Sequence, residues 1–168
     1  MREHAGKALT YESGSQVAQR SLSHASPKYS AMRILLVENE KGQQLLYEQE
    51  LREEGYLVLC ANNGKEALRC MEESPCDLVV LDIVMPEMDG IETLGKIISR
   101  YKKTPVILHT AYPYYYSDFT TWLADAFVVK SSDLSILKKT VKESLKKEGE
   151  IVSSLYSRAD MDLNKGTP

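Results

Sequence analysis

Five short aliphatic runs, separated by longer segments of mixed polarity, constrain the fold of this chain more than any other feature of its sequence. Such nearly continuous runs are typical of parallel strands covered on both faces, and the segments between them are long enough for crossover helices. The runs are residues 34–37, 57–60, 78–81, 106–108 and 126–129. The pattern predicts a doubly wound α/β domain around a five-stranded sheet.

Helix signals fill the segments between these runs. Glycine and asparagine mark the expected ends and starts of the helices, and apolar residues recur at helical spacing within them. The predicted helices cover residues 42–54, residues 65–73, a stretch from 90 to about 101, and a last helix with Asp133 as its N-cap. Each predicted helix therefore connects two predicted strands or follows the last one.

Length and charge limit the chain to one compact domain with tails. The 168 residues, 43% of them hydrophobic, suffice for one sizeable core. A net charge of -3 gives no basic excess to neutralise phosphates, so we expect no direct contact with nucleic acid. The expected boundaries are a disordered N-terminal extension over residues 1–31, a folded domain over 32–148 and a flexible tail over 149–168.

Cysteine and hydropathy patterns indicate a cytoplasmic protein. Cys60, Cys70 and Cys76 are odd in number and lack CxxC spacing, which argues against a disulfide framework and against a zinc site. No apolar run approaches the roughly 18 residues of a membrane span, and no secretory signal opens the chain. We therefore expect a cytoplasmic location and no membrane association.

Polar side chains follow four of the five aliphatic runs. Residues 38–40, Glu-Asn-Glu, follow the first run, Asp82 the third, Thr110 the fourth and Lys130 the fifth. Ligands of open parallel sheets collect at the carboxyl ends of the strands, so we expect these groups to share one edge. Each residue alone has an ordinary structural explanation as a helix cap or a solvated charge, and it is the joint pattern that indicates a site.

The chemistry of this group favours phosphoryl transfer to a carboxylate. Clustered carboxylates repel one another unless a cation lies among them, and hard oxygen ligands suit Mg²⁺. A carboxylate beside Mg²⁺, with a lysine and a hydroxyl near it, supplies a nucleophile, charge neutralisation and a hydrogen-bond donor. Asp82 is the candidate nucleophile, because residues 85–90 after it encode a turn that leaves the carboxylate accessible.

Three segments closely resemble the receiver domain of bacterial two-component response regulators, in the CheY-like superfamily, over about residues 32–148. They are residues 78–90, LVVLDIVMPEMDG, residues 105–111, PVILHTA, and residues 127–130, FVVK. The first is similar to the family's phosphoacceptor segment, the second to its fourth strand with the switch hydroxyl, and the third to its fifth strand. The resemblance implies a flavodoxin-like fold with strand order 2-1-3-4-5.

The resemblance also implies roles for individual residues. Asp82 would accept a phosphoryl group from a sensor histidine kinase or a phosphotransfer protein, and Lys130 would pair with that group. Thr110 would move to bind it, and Phe127 would rotate inward as the aromatic switch residue. The change would be read by a separate downstream effector protein, so the domain would catalyse only its own phosphorylation and dephosphorylation.

A metal site is implied by the same resemblance. Mg²⁺ would be held by Asn39, by Asp82, by the backbone carbonyl of Val84, and by Glu38 through water. The family usually carries two aspartates where this chain has Glu38 and Asn39, a difference that bears on metal affinity. The family's lysine is usually followed by proline, whereas Ser131 follows here, which bears on the flexibility of that loop.

The stretch between Thr110 and Phe127 is shorter than in typical receivers by about two residues, so we expect a short fourth helix. Tyr112 lies two residues past Thr110, where its ring is expected to shield the acyl phosphate and lengthen its lifetime. The aromatic residues of 112–122 have two interpretations, packing of the short helix or an exposed docking face. His109 is interpreted as a packed strand histidine rather than a metal ligand.

Two other functions stay open at this stage. The first is a pseudo-receiver, which keeps the fold as an interaction module without phosphorylation. The retention of Asp82, Thr110 and Lys130 argues against it. The second is a phosphohydrolase with an aspartyl-phosphate intermediate, but Val84 stands where such an enzyme carries a second carboxylate, and no cap domain is visible. The hydrolase therefore ranks lowest.

Overall fold

The computed structural model describes residues 32–147, and the predicted extension and the whole predicted tail lie outside them. Within this range five parallel strands form one sheet in the order β2-β1-β3-β4-β5, which confirms the predicted topology. The strands are β1 (Arg33–Val37), β2 (Leu57–Ala61), β3 (Leu78–Leu81), β4 (Val106–Thr110) and β5 (Ala126–Val129). Every predicted aliphatic run is a strand.

Helices connect the strands and cover both faces of the sheet. They are α1 (Lys41–Glu53), α2 (Gly64–Glu73), α3 (Gly90–Arg100) and α4 (135–147). Side chains of Glu40, Asn63 and Asp89 cap the first three by accepting hydrogen bonds from backbone N–H groups of the first turn. Within the described range, none of these helices is long and apolar enough to cross a membrane.

The predicted cap of the last helix is displaced by one residue. Asp133 accepts a hydrogen bond from the N–H of Ser135 at 2.9 Å, but the helix itself begins at Ser135. The side chain therefore closes a turn that precedes the helix, so that Leu134, and not Asp133, stands immediately before it. Short aspartate side chains form such turns readily, because they reach a backbone N–H two residues ahead.

The short helix that was expected between Thr110 and Phe127 is not an α-helix. Two 3₁₀ helices, Pro113–Ser117 and Phe119–Leu123, occupy the connection between β4 and β5. Asp118 stands between them in an extended conformation and accepts a hydrogen bond from the N–H of Thr120 at 2.8 Å. This local cap starts a new turn and prevents the two pieces from forming one continuous helix.

Two apolar layers enclose the sheet. Leu35 and Val37 of β1 pack on the layer that includes α2 and α3, whereas Ile34 and Leu36 pack on the layer with α1 and α4. This alternation is the period of two expected of a strand buried on both faces. The sheet is therefore covered on both faces, and apart from His109 the interiors of the strands are apolar.

Candidate functional site

The carboxyl edge of the sheet gathers the polar residues that the sequence indicated. Glu38 follows β1, Asp82 follows β3, Thr110 ends β4 and Lys130 follows β5. Glu38, Asp82 and Thr110 are buried, at 2%, 6% and 0% exposure. Residues that are separated by as many as 92 positions in the chain thus meet at one point.

Lys130 joins the two carboxylates. Its Nζ donates hydrogen bonds to Oε2 of Glu38 at 2.6 Å and to Oδ2 of Asp82 at 2.8 Å. All three side chains are at most 9% exposed, so both ion pairs lie out of bulk solvent. One ammonium group faces two carboxylates, and with all three ionised the cluster carries a net negative charge.

The backbone fixes the other oxygen of Asp82. Its Oδ1 accepts hydrogen bonds from the N–H groups of Ile83 at 2.7 Å and of Val84 at 3.3 Å. The loop returns to the same point, because the N–H of Gly90 donates to the carbonyl of Ile83 at 2.8 Å. The carboxylate of Asp82 is therefore held at both oxygens before any ligand arrives.

Burial and hydrogen bonding act in opposite directions on the charged groups. Burial raises the pKa of Glu38 above its usual 4.5 and outweighs the hydrogen bonds from Lys130 and from the N–H of Glu40. Burial alone would lower the pKa of Lys130, but its hydrogen bonds to Asp82 and Glu38 raise it overall. The two ion pairs therefore favour the charged form of Lys130, whereas burial opposes the charged form of Glu38.

The donor set at this edge fits a divalent cation. Within residues 32–147 no group of three or more His, Cys, Asp or Glu side chains is arranged to hold a metal ion, so two carboxylates are the acidic contribution here. Asn39 is exposed beside Glu38, and Val84 is exposed beside Asp82. Carboxylate, amide and carbonyl oxygens are the hard ligands that Mg²⁺ takes, and a cation would relieve the excess negative charge. Glu40, in contrast, is committed to capping α1.

The two expected switch residues lie on neighbouring strands. Thr110 is fully buried, and its Oγ1 accepts a hydrogen bond from the N–H of Tyr112 at 3.3 Å. Phe127 on β5 is half-buried, and its ring meets that of Tyr116 edge to face at a centroid distance of 5.6 Å. The threonine hydroxyl is thus held locally at the end of β4, three residues before the first 3₁₀ helix begins at Pro113.

Comparison with known proteins decides the family. Residues 34–142 match the family described as the response regulator receiver domain. The chain belongs to the response regulator receiver family. AtoC, a regulatory protein of Escherichia coli strain K12, is 37% identical over 115 residues, which is 67% of this chain and 25% of AtoC. YkoG, an uncharacterized transcriptional regulatory protein of Bacillus subtilis, is 31% identical over 80% of this chain and 61% of its own length.

Solved receiver structures share the fold over nearly their whole length. The response regulator TrrA of Thermotoga maritima, in complex with Mg²⁺-BeF, is 44% identical, with a TM-score of 0.66 over 67% of this chain and 98% of TrrA. TrrA in complex with the histidine kinase ThkA gives 45% identity and a TM-score of 0.65 over 68% of this chain and 98% of that one. The chain spans about a quarter of the length of two of its curated relatives, AtoC and ZraR from Klebsiella oxytoca.

His109 is a packed residue of the receiver core. It is 2% exposed, and its ring meets that of Tyr47 edge to face at 4.8 Å. Burial, together with the positive charge of Lys130, lowers the pKa of His109 to about 4. The imidazole is therefore neutral near pH 7, and its interpretation as a packed strand histidine is confirmed.

The aromatic residues of the 3₁₀ connection are mostly exposed. Tyr115 packs against the core beside α2 and α3, whereas Tyr114, Tyr116, Phe119 and Trp122 are each more than 60% exposed. Packing against the core therefore accounts for Tyr115 among these five, and Tyr116 contacts Phe127 although it stays largely exposed. A docking face formed by the others stays a prediction.

Gln44 bonds the backbone beside the site, a role that no sequence motif marks. It is 1% exposed, and its amide contacts the backbone of Glu38 and the end of β2. Gln44 shares the buried face of α1 with Tyr47 and Leu51, three and seven residues further on. A polar residue in an otherwise buried helical stripe is the one signal in the sequence that indicates such a role.

Proposed function

We propose that this receiver is a phosphoacceptor switch, which takes a phosphoryl group on Asp82 from a histidine kinase or a phosphotransfer protein. A partner protein would then read the resulting change in shape. The observation that carries the proposal is the contact of Lys130 with both Glu38 and Asp82, at 2.6 and 2.8 Å. It places a nucleophilic carboxylate beside a fixed positive charge in a site that is nearly closed to solvent.

The phosphoryl transfer requires little of the protein beyond position and charge. An oxygen of the Asp82 carboxylate forms a bond to phosphorus while the phosphorus–nitrogen bond of a phosphohistidine donor breaks. The electron pair of that bond stays on the histidine nitrogen. Lys130 already contacts Oδ2 of Asp82, so its ammonium is placed to neutralise the oxygens of the incoming group. The backbone N–H groups that bind Oδ1 orient the carboxylate during attack.

A divalent ion fits this proposal. Asn39, Asp82 and the carbonyl of Val84 would hold Mg²⁺, with Glu38 acting through water. When bound, Mg²⁺ would supply the charge neutralisation that phosphoryl transfer to a carboxylate needs. Support comes from the excess of carboxylates over cations in the pocket and from TrrA, a similar protein solved with Mg²⁺-BeF.

The switch would run from Thr110 to Phe127. The hydroxyl of Thr110 accepts one local hydrogen bond and keeps its own proton available for a phosphoryl oxygen. Movement of Thr110 would alter the start of the 3₁₀ connection, which packs on Phe127 through Tyr116. The partly buried ring of Phe127 would then rotate inward and change the surface that a partner protein meets.

Intact mass after incubation with acetyl phosphate and MgCl₂ tests the proposal. The wild-type chain should gain ~80 Da, the mass of one phosphoryl unit, and Asp82→Ala should not. Asp77→Ala, which removes an aspartate at the opposite end of the sheet, is the matched control and should label like the wild type. A wild-type chain that gains no mass, or an Asp82→Ala chain that still gains it, would contradict the proposal.

The pseudo-receiver is the second candidate, and one observation favours it. Both oxygens of Glu38 are engaged, with Lys130 and with the N–H of Glu40, which leaves this carboxylate less free for a metal than an exposed one. A pseudo-receiver would fold and bind partners without any mass change. The same labelling experiment therefore separates the two functions.

A further inference from the structure

Gln44 is a buried amide behind the loop that carries Glu38 and Asn39. Its Nε2 donates to the backbone carbonyl of Glu38 at 2.9 Å and to that of Ala61 at 3.2 Å. Nε2 also lies 3.3 Å from Oδ1 of Asn62, and Oε1 of Gln44 accepts from Nζ of Lys41 at 2.7 Å. Both polar atoms of the amide are therefore engaged, as burial requires.

These contacts tie the β1–α1 loop to the end of β2. Glu38 is joined to β2 a second time, because its own N–H donates to the carbonyl of Ala61 at 3.0 Å. The backbone of Glu38 is thus held from α1 and from β2, while its carboxylate contacts Lys130. Loss of the Gln44 amide would leave the buried carbonyl of Glu38 without this donor, whereas the carbonyl of Ala61 would keep the N–H of Glu38. The loop after β1 would then shift to satisfy the carbonyl of Glu38.

We propose that Gln44 is a positioning residue for the cation site. It would act through the backbone of Glu38 and set the placement of Glu38 and Asn39 relative to Asp82. This inference rests on the proposed function, since it assumes that Mg²⁺ binds at this edge of the sheet. Groups that orient metal ligands from behind affect metal affinity even though they never touch the metal.

Gln44→Met keeps the length and burial of the side chain and removes the donor. We expect its dissociation constant for Mg²⁺ to rise by roughly tenfold or more, as is typical when a residue behind a metal ligand is lost. The labelling rate with acetyl phosphate at saturating MgCl₂ should stay within about twofold of wild type, because the reacting groups are unchanged. The loss would therefore appear in the Mg²⁺ concentration required and not in the maximal rate.

The measurement is titration calorimetry of the full chain with MgCl₂ alone, without a phosphodonor. Thr121→Val is the matched control, because Thr121 is also buried, and its hydroxyl also donates to a backbone carbonyl, that of Asp118 at 2.7 Å. It should lower stability without changing Mg²⁺ affinity. If Gln44→Met does not fold, Gln44→Asn carries the test, since its shorter amide cannot keep both carbonyl contacts.

The outcomes separate this inference from the proposed function. A wild-type chain that binds no Mg²⁺ and gains no phosphoryl group would overturn both. Normal Mg²⁺ binding by wild type, with an unchanged dissociation constant in the Gln44 variant that folds, would overturn the positioning role alone. An equal loss of Mg²⁺ affinity in Thr121→Val would do the same, because general destabilisation would then account for the effect.

Discussion

Glu38 affects the charge distribution of the site, although glutamate and aspartate carry the same charge. It is one methylene longer than the aspartate typical of receivers, and its carboxylate contacts Nζ of Lys130 directly at 2.6 Å. Lys130 is thereby shared between Glu38 and Asp82, so Asp82 does not hold the ammonium alone. Replacing one aspartate with Asn39 also removes a negative charge, which reduces attraction for a divalent ion.

His109 should make the stability of the fold depend on pH. Its pKa is about 4 in the folded chain against 6.5 for a free histidine, so the unfolded chain binds more protons between these values. The contribution of the neutral His109 to the free energy of unfolding is therefore complete above pH 6.5. It falls by about 3 kcal/mol as the pH drops to 4. His109 faces Tyr47 and the charge of Lys130, and neither offers it a negative partner.

Urea unfolding from pH 4 to pH 7.5 measures this effect. Carboxylates also titrate in this range, so His109→Phe is the reference, because it keeps an aromatic ring against Tyr47. The difference in unfolding free energy between wild type and this variant should grow as the pH falls from 6.5 to 4. A difference that does not vary with pH would show that His109 titrates normally in the folded chain.

Tyr112 should set the lifetime of the phosphorylated form. It is 43% exposed, and its backbone N–H is bonded to the hydroxyl of Thr110 that would meet the phosphoryl group. Tyr112→Ser would open that position to water, and a loss of about 1 kcal/mol of barrier would shorten the lifetime by about fivefold. Decay of the labelled mass after removal of acetyl phosphate measures it. Tyr114→Ser, a more exposed neighbour, should decay like wild type, and equal effects of both changes would refute the shielding.

At the scale of elements, α3 begins in close contact with the backbone of Asp82 and Ile83. A Cβ placed on Gly90 would collide with the backbone carbonyl oxygen of Asp82 and lie 2.6 Å from Cα of Ile83. Gly90→Ala should therefore force the loop outward, destabilise the fold by about 2–3 kcal/mol, and slow labelling of Asp82. Denaturant unfolding together with intact mass after a fixed time measures both effects.

Gly95 provides the control on the same helix. No atom lies within 4 Å of a Cβ placed there, so Gly95→Ala should stabilise α3 by about 0.5–1 kcal/mol without altering the site. Equal changes of stability in both variants, or labelling of Gly90→Ala at the wild-type rate, would contradict this prediction. The close approach of α3 to Asp82 would then not affect phosphorylation.

The elements that sequence patterns predict well are those whose signal is local. Each aliphatic run forms a strand, because a strand buried on both faces requires apolar residues at every position. Asn63 and Asp89 cap α2 and α3, as expected of side chains that accept hydrogen bonds from backbone N–H groups of the first turn. The connection after β4 was predicted as a short helix and is two 3₁₀ helices. That outcome depends on the hydrogen bond from the N–H of Thr120 to the side chain of Asp118, which replaces a helical backbone bond. Composition alone does not predict which of these two hydrogen bonds forms.

At the scale of the whole molecule, the site depends on contacts that no local pattern contains. Family motifs indicated Asp82, Thr110 and Lys130, and the sheet order brings their strands to one edge. The contact between Lys130 and Glu38 spans 92 positions, and neither motif nor spacing predicts that the lysine bridges two carboxylates. Gln44 went unmarked for the same reason, since its acceptors belong to β2 and to the loop after β1.

The proposed ligands follow β1 and β3, and Lys130 follows β5. Mg²⁺ binding should therefore raise the free energy of unfolding of the whole domain. Only the folded chain assembles the site, so Mg²⁺ at about 100 times its dissociation constant should add roughly 2.7 kcal/mol to the free energy of unfolding. Urea unfolding with and without MgCl₂, against NaCl of equal ionic strength, measures the gain. Asp82→Ala should lose it. A gain of equal size in that variant, or with NaCl, would mean that the ions act by screening surface charge and that no site forms at the edge of the sheet.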